Sequence, residues 1–258
     1  MALPSVIVLD LDGTLLRSDK TLSAPTESVL QRLQARGCAL VIATARPRRA
    51  VANVLPAWLR AGWVILYNGS QIWLGDRLVH ELTISRASLA AIVETVRVGF
   101  PDAALGFESG DQLYTNRHFS RHWPADMEAV VDLTAFPLTD TPKIVVDLID
   151  LRLAPCLRAA APPDCRLLVT DGATLAQLVP RAAGKAAAVQ AILARLNKTA
   201  AEVLCFGDDA NDAELFVAFP QSVAMANATA ALRQAACHHT TSNDEDGVAQ
   251  FLAARFEL

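Results

Sequence analysis

A chain of 258 residues, 52% of them hydrophobic, has ample material for a core in one large domain or two smaller ones, and is no disordered chain. Its net charge of −4 and pI near 5.7 exclude a broad cationic surface for nucleic acid. Five cysteines without paired spacing read as reduced thiols, and neither a signal-peptide pattern nor a membrane-length apolar run is found, so the expected place is the cytoplasm.

The first element is an apolar run at 6–9, read as a strand buried on both faces. It runs into Asp10, Leu11, Asp12, Gly13 and Thr14. Residues two apart on a strand share a side, so Asp10 and Asp12 can present two carboxyl groups at one place. Such a pair is either a solvated strand end or turn, or it is relieved by a shared proton or a cation. With only hard oxygen ligands nearby, the cation would be Mg²⁺.

A helix capped by Ser23, with Pro25 in its first turn, is expected to end at Gly37. A buried strand follows at 39–43 and ends in Thr44, Ala45 and Arg46. The spacing then predicts a helix over 48–59, disturbed at Pro56, and a strand at 64–67 that ends in Asn68 and Gly69. Strand, helix, strand, helix, strand is the pattern of a parallel sheet, whose ligands bind beyond the carboxyl ends of the strands.

The pattern changes after Asn68. Residues 71–81 read as a hairpin about Gly75 and Asp76, and 84–98 as a helix. From 100 to 180 the chain reads as irregular, with prolines and short strands, of which 143–149 is the clearest. The parallel-sheet pattern resumes with a helix opened by Gly184 and Lys185 and running to about 196. A strand at 203–206 ends in Gly207, Asp208, Asp209, Ala210, Asn211 and Asp212. A short helix, a strand at 222–225, a helix near 228–236 and a last helix from Asp246 complete the chain.

Strand ends thus supply Asp10 with Asp12, Thr44, and Asp208 with Asn211 and Asp212; Lys185 stands at a helix start. A carboxylate can attack phosphorus if a metal offsets the negative charge on both partners. A second, protonated carboxyl can serve the leaving alcohol, and a hydroxyl and an ammonium can hold phosphoryl oxygens.

The residues DLDGT at 10–14, Thr44 after an apolar strand, Lys185, and GDDAND at 207–212 resemble the four motifs of the haloacid dehalogenase superfamily of phosphotransferases. Asn68-Gly69, Met225-Ala226-Asn227-Ala228 and the NDEDGV run at 243–248 add to the resemblance, which covers both ends of the chain. The middle looks like the cap of the Cof-type, or class IIB, subgroup. The resemblance implies an α/β fold: a Rossmann-like parallel-sheet core from 1–82 and 181–258, with an inserted α+β cap at 83–180. It implies a Mg²⁺-dependent phosphatase that hydrolyses a small phosphate monoester, a sugar phosphate or related metabolite, through an aspartyl-phosphate. Asp10 would be the nucleophile, and Asp12 the acid for the leaving group and then the base for water. Thr44 and Lys185 would bind the phosphoryl group, with Ala45, Arg46, Asn68 and Asn211 near substrate or phosphate. Asp10, Asp12 (through its carbonyl), Asp208 and Asp212 would serve the metal. The expected partner is a small phosphorylated metabolite, with no nucleic acid or membrane, and the chain a monomer or small homo-oligomer. The same motifs serve a sugar phosphomutase; a metal- or phosphate-binding regulatory protein without turnover is the third reading.

Two departures from the family pattern stand out. Ala45 occupies a place where relatives often have glycine, and costs about 1 kcal/mol if that place needs left-handed backbone. Glu214-Leu215-Phe216 replaces a common methionine and reads as core packing. Among weaker signals, Cys237-His238-His239 reads as a helix end. His118 and His122 suit one helix face, and with Arg117, Arg121 and Trp123 form either surface decoration or a substrate-facing patch. The NDEDGV run is either a solvated helix cap or an indirect support for the metal site.

Overall fold

The computed structural model describes residues 3–119, 122, 128–170 and 172–257. In chain order its strands are β1 (Val6–Leu9), β2 (Ala39–Ala43), β3 (Trp63–Leu66), β4 (Gln71–Leu74) and β5 (Arg77–Glu81). Then come β6 (Leu105–Ser109), β7 (Gln112–Thr115), β8 (Glu128–Val130), β9 (Ile144–Asp147), β10 (Cys165–Thr170) and β11 (Leu175–Pro180). The last are β12 (Val203–Gly207), β13 (Gln221–Ala224) and β14 (His238–His239). The chain divides into two compact units, Met1–His80 with Gly184–Leu258, and Glu81–Ala183.

The first unit holds an eight-stranded sheet in the order β14-β13-β12-β1-β2-β3-β4-β5. From β14 to β3 every pairing is parallel, and β4 turns back antiparallel on β3. Alternation along the central strands explains the layers. Ile7, Leu9, Ile42 and Phe206 enter one apolar cluster with residues of the helices Ala24–Ala35 and Gly247–Phe256. Val6, Val8, Val41 and Cys205 enter a second with residues of the helix Lys185–Leu196. A sheet buried on both faces needs strands without a polar side, which is why these read as continuous apolar runs. The result is the α/β, Rossmann-like core.

The inserted unit is more regular than its sequence. It contains a six-stranded sheet in the order β10-β11-β9-β6-β7-β8, antiparallel except for β7 with β8. Its strands are short, three to six residues, and alternate apolar residues with Glu108 or Gln177, a weaker signal than the continuous apolar runs of the core. Ser85 caps the helix Arg86–Gly99, accepting a 3.2 Å bond from Ser88 N–H.

Several local expectations change. The helix expected over 48–59 is two short ones, Arg48–Ala52 and Ala57–Arg60, with Pro56 at the start of the second. Proline suits a helix start and disfavours helix in the residue before it. The helix before Cys237 ends at Ala235, and His238–His239 forms the edge strand β14 instead. In the 243–248 run, neither Asn243 nor Asp244 caps the last helix: Ser242 caps a short turn at Asn243–Glu245, and the helix starts at Gly247 after Asp246, without a side-chain cap bond. Arg117, His118, Phe119 and His122 are not helical. Arg117 donates to the Asp102 and Pro101 carbonyls, His118 meets Glu128 at 3.2 Å, and His122 meets Asp147 at 3.2 Å. Arg121 and Trp123 lie outside the described residues.

Candidate active site

The site is built at the carboxyl ends of β1, β2, β3 and β12. Asp10 directly follows β1 and is buried. Lys185, the first residue of its helix, is fully buried. Its ammonium donates to Asp10 Oδ1 at 2.5 Å and to Asp212 Oδ1 at 2.7 Å. The other oxygen of Asp212 accepts the N–H groups of Asp208 and Asp209 at 3.0 and 3.2 Å. Asp212 therefore fixes the turn after β12 and meets Lys185 at once. Asp208 Oδ1 accepts the Thr14 hydroxyl at 3.0 Å. Gly13 makes room for this: its backbone is left-handed (φ 75), and a Cβ there would stand 2.2 Å from Asp208 Oδ2.

Carboxylate oxygens of Asp10, Asp208 and Asp212 lie within 4.8 Å of one another. One ammonium cannot balance three carboxylates. Burial, and then the charge of Asp212, push the Asp10 carboxyl well above its usual range against the pull of Lys185. The same two causes push Asp208 up to about 7. Burial works against the charge on Lys185, but Asp10 and Asp212 outweigh it and raise its pKa, so it stays an ammonium. Three hard oxygen donors with unbalanced negative charge fit a divalent cation such as Mg²⁺.

Asp12 departs from the expectation of a shared place. It lies beyond the end of β1, and its carboxylate does not belong to this cluster. Arg46 holds it in a fork, Nε to Oδ2 at 2.6 Å and Nη2 to Oδ1 at 2.7 Å, and Lys20 adds a 3.0 Å bond to Oδ1. Burial pushes this carboxyl up, but the hydrogen bonds and charges of Arg46 and Lys20 outweigh it and hold it below its usual range. Each of the two neighbouring aspartates thus has its own protein cation.

Thr44 is buried after β2, and its hydroxyl accepts the Arg46 N–H at 3.1 Å. That leaves its hydrogen free to be donated. Ala45 does not take up left-handed backbone, so the expected strain is absent. The strain lies one turn further on. Tyr67 and Asn68 have φ of 52 and 55, at a cost of about 1–3 kcal/mol each. Their turn sends the Asn68 N–H to the Thr44 carbonyl at 3.0 Å and the Asn68 amide oxygen to Asn211 Nδ2 at 3.1 Å. Gly69 (φ 101) lets the turn press on the helix start, where a Cβ would meet the Gly184 carbonyl at 2.3 Å.

Some participants were not read from sequence. Glu214, taken as core packing, accepts the Lys185 N–H at 2.6 Å and so completes the start of that helix. Thr14 was seen only as part of a motif. Lys20 carries no local signal at all. The fragments around Asn227 and Asn243 brace the chain after β1: Asn227 Nδ2 donates to the Gly13 carbonyl at 2.8 Å, and Asn243 Nδ2 to the Leu16 carbonyl at 2.9 Å. Asn227 Oδ1 accepts the Asn243 N–H, which joins the two braces.

Comparison with known proteins agrees with this geometry. The family profile of haloacid dehalogenase-like hydrolases matches residues 7–252. The chain is 28% identical to the 5-amino-6-(5-phospho-D-ribitylamino)uracil phosphatase YitU of Bacillus subtilis, covering 99% of this chain and 98% of that one. It is 30% identical to a phosphoglycolate phosphatase of Halobacterium salinarum, over 96% of this chain and 94% of the other. Among solved structures, a haloacid dehalogenase-like hydrolase from Bacteroides thetaiotaomicron superposes with a TM-score of 0.84 at 26% identity, covering 98% of this chain and all (100%) of that one. On the profile match and these full-length likenesses, the chain belongs to the haloacid dehalogenase-like hydrolases.

Proposed function

We propose that this protein is a Mg²⁺-dependent phosphatase that hydrolyses a small phosphorylated metabolite through phosphorylated Asp10. The observation that carries this is the buried Lys185 joined to both Asp10 and Asp212, with Asp208 beside them. A charged group at such depth is costly, and is retained where its charge is used. The relatives point the same way: the curated ones named above are phosphatases of small phosphorylated compounds.

Asp10, Asp208 and Asp212, with the carbonyl of Asp12, would hold Mg²⁺, whose charge offsets that of the phosphoryl oxygens. The protein's own groups do the rest. One Asp10 oxygen bonds to phosphorus as the ester P–O bond breaks, and that electron pair goes to the leaving oxygen. A protonated Asp12 gives the leaving oxygen its proton. Water then attacks the phosphorylated Asp10 while Asp12 accepts the water proton, and inorganic phosphate is released. Lys185 holds Asp10 in place and meets the charge on the phosphoryl group. The Thr44 hydrogen is directed to a phosphoryl oxygen, and the Asn68–Asn211 amide pair orders the same side. Asp12 as it stands, bound by Arg46 and Lys20, is set for the second of its two duties; the first requires it to have taken up a proton.

The test is Asp10→Asn assayed with nitrophenyl phosphate and Mg²⁺, beside a panel of phosphorylated metabolites ranked by kcat/KM for the native chain. Turnover is expected to fall about a thousandfold or more, as when a nucleophile is lost. Retained turnover overturns the assignment of Asp10. Rearranged sugar phosphate in place of free inorganic phosphate overturns the hydrolase reading.

A further inference from the structure

Lys20 is a strained residue whose contribution to stability does not account for it. It takes left-handed backbone (φ 67) without being glycine. Its side chain is 54% exposed, and its ion pair with Asp12 is of a kind that adds little to stability. Yet the turn that carries it is anchored from the far end of the chain. Arg17 grips both oxygens of Asp246 at 3.0 and 2.7 Å. Ser18 gives its N–H and its hydroxyl to Asp244 at 2.8 and 2.7 Å. Inside the turn, the Lys20 N–H donates to the Arg17 carbonyl, and the Arg17 N–H to the Thr21 carbonyl. Asp244 and Asp246, which do not touch the acidic cluster, thereby fix where Lys20 stands.

At Asp12 the donors divide unequally. Among the described residues, Oδ1 accepts from both Lys20 and Arg46, whereas Oδ2 accepts from Arg46 alone. A carboxylate oxygen has two lone pairs, so Oδ1 is filled and Oδ2 keeps one open. We propose that Lys20 is a positioning residue for Asp12: by filling Oδ1 it leaves Oδ2 as the oxygen that takes the proton of the attacking water. This rests on the reading of Asp10 and Asp12 above. In the step concerned, the water oxygen bonds to phosphorus. The bond from phosphorus to the Asp10 oxygen breaks, its electron pair returns to Asp10, and the water proton goes to Asp12 Oδ2. Without Lys20 both oxygens of Asp12 have an open lone pair, and the fork from Arg46 alone holds the carboxylate.

The experiment is rapid quench of the enzyme with nitrophenyl phosphate and Mg²⁺, reading formation and decay of phosphorylated Asp10. It compares the native chain with Lys20→Met, Lys20→Arg, Asp246→Asn and Asp12→Asn. Lys20→Met is expected to slow decay about five- to tenfold, part of what a positioned base contributes, with formation changed by less than about twofold. Lys20→Arg restores decay to within about twofold of native, and Asp246→Asn slows it about two- to threefold by loosening the turn. Melting temperatures of the Lys20 variants stay within about two degrees of native. Unchanged decay in Lys20→Met overturns the proposal, as does an equal fall in formation and decay, the mark of a merely structural role. Asp12→Asn separates the two layers of argument. If it traps phosphorylated Asp10 while Lys20→Met decays normally, only the role of Lys20 is wrong. If Asp12→Asn leaves decay unchanged, the reading of Asp12 fails and takes this inference with it.

Discussion

The two units bury polar groups in different ways. In the core, Asp10, Lys185 and Asp212 come from segments far apart in the chain and bond to one another. In the inserted unit, Glu108, Lys143, Asp147 and Gln177 are also buried, and they belong to neighbouring antiparallel stretches of one sheet. They alternate with Phe107, Ile144, Val146 and Leu178 of the apolar cluster on the other face. Topology makes the difference. Parallel strands bring their carboxyl ends to one edge, where charges from distant segments meet. Antiparallel strands reverse direction at each step, so these polar groups lie within a face of the sheet and not at one edge of it. The core cluster should therefore respond to charge and metal as one unit, and the buried polar groups of the insert should serve its own fold.

The strongest way to break that comparison is Lys185→Met. It leaves Asp10 and Asp212 buried without their cation, which should cost about 3–5 kcal/mol in metal-free protein. Turnover should fall about a hundred- to a thousandfold, as for loss of a charge-stabilising donor. Added Mg²⁺ should recover much of the stability but not the turnover. Denaturant unfolding with and without Mg²⁺, beside kcat, checks this. Full stability in the metal-free variant would mean that the three carboxylates do not act as a unit.

The second test is pH. The folded carboxyl of Asp208 titrates at about 7, against an unfolded value of 3.8. Between those values the folded state binds more protons than the unfolded one, so stability falls as pH rises through that window. The carboxylates with depressed values act elsewhere: Asp150 and Glu202, each held down to about 2, lose their contribution only on the acid side. Metal-free protein should thus melt lower at pH 8 than at pH 5.5. Mg²⁺, which binds the ionised carboxylates, should reverse the order, and Asp208→Asn should make the metal-free slope shallower, leaving the part due to Asp10. Melting curves in chelator and in Mg²⁺ read all three.

The same contrast governs what could be read from sequence. Asp10 and Asp208 were legible because each directly follows an apolar strand, and a parallel sheet leaves little choice of where such ends go, whereas Thr44, Lys185 and Asp212 gained their roles only from the resemblance of the whole motif set. The partners of Asp12 were not legible. Arg46 was named only for its closeness to substrate, and Lys20 sits in a polar turn whose shape depends on Asp244 and Asp246, more than 220 residues away. Glu214 was misread because a helical carboxylate beside apolar neighbours looks like packing until the start of another helix is seen against it. The inserted sheet was largely missed for a related reason. Its strands are only three to six residues long, and Gly106, which sits where neighbours leave no room for a Cβ, weakens the strand signal between Leu105 and Phe107.

The smallest expected effect lies in the insert and sharpens the comparison from the other side. Thr141 is fully buried, and its hydroxyl donates to the Glu108 and Lys143 carbonyls at 2.7 and 2.9 Å while accepting the Lys143 N–H at 3.2 Å. Thr141→Val keeps the shape and removes every one of these bonds. The Lys143 carbonyl retains the Glu108 N–H, but the Lys143 N–H loses its acceptor in a buried place. The cost should be about 1–3 kcal/mol, that of breaking such bonds in a buried place. If the insert's buried polar groups serve its own fold, the folded variant keeps native Mg²⁺ affinity and native turnover of nitrophenyl phosphate. Urea unfolding and calorimetric titration of Mg²⁺ measure the two sides. A shift in Mg²⁺ affinity would show that the two units share their energetics, and the distinction between a metal-responsive cluster and buried groups that serve the insert's fold would no longer stand.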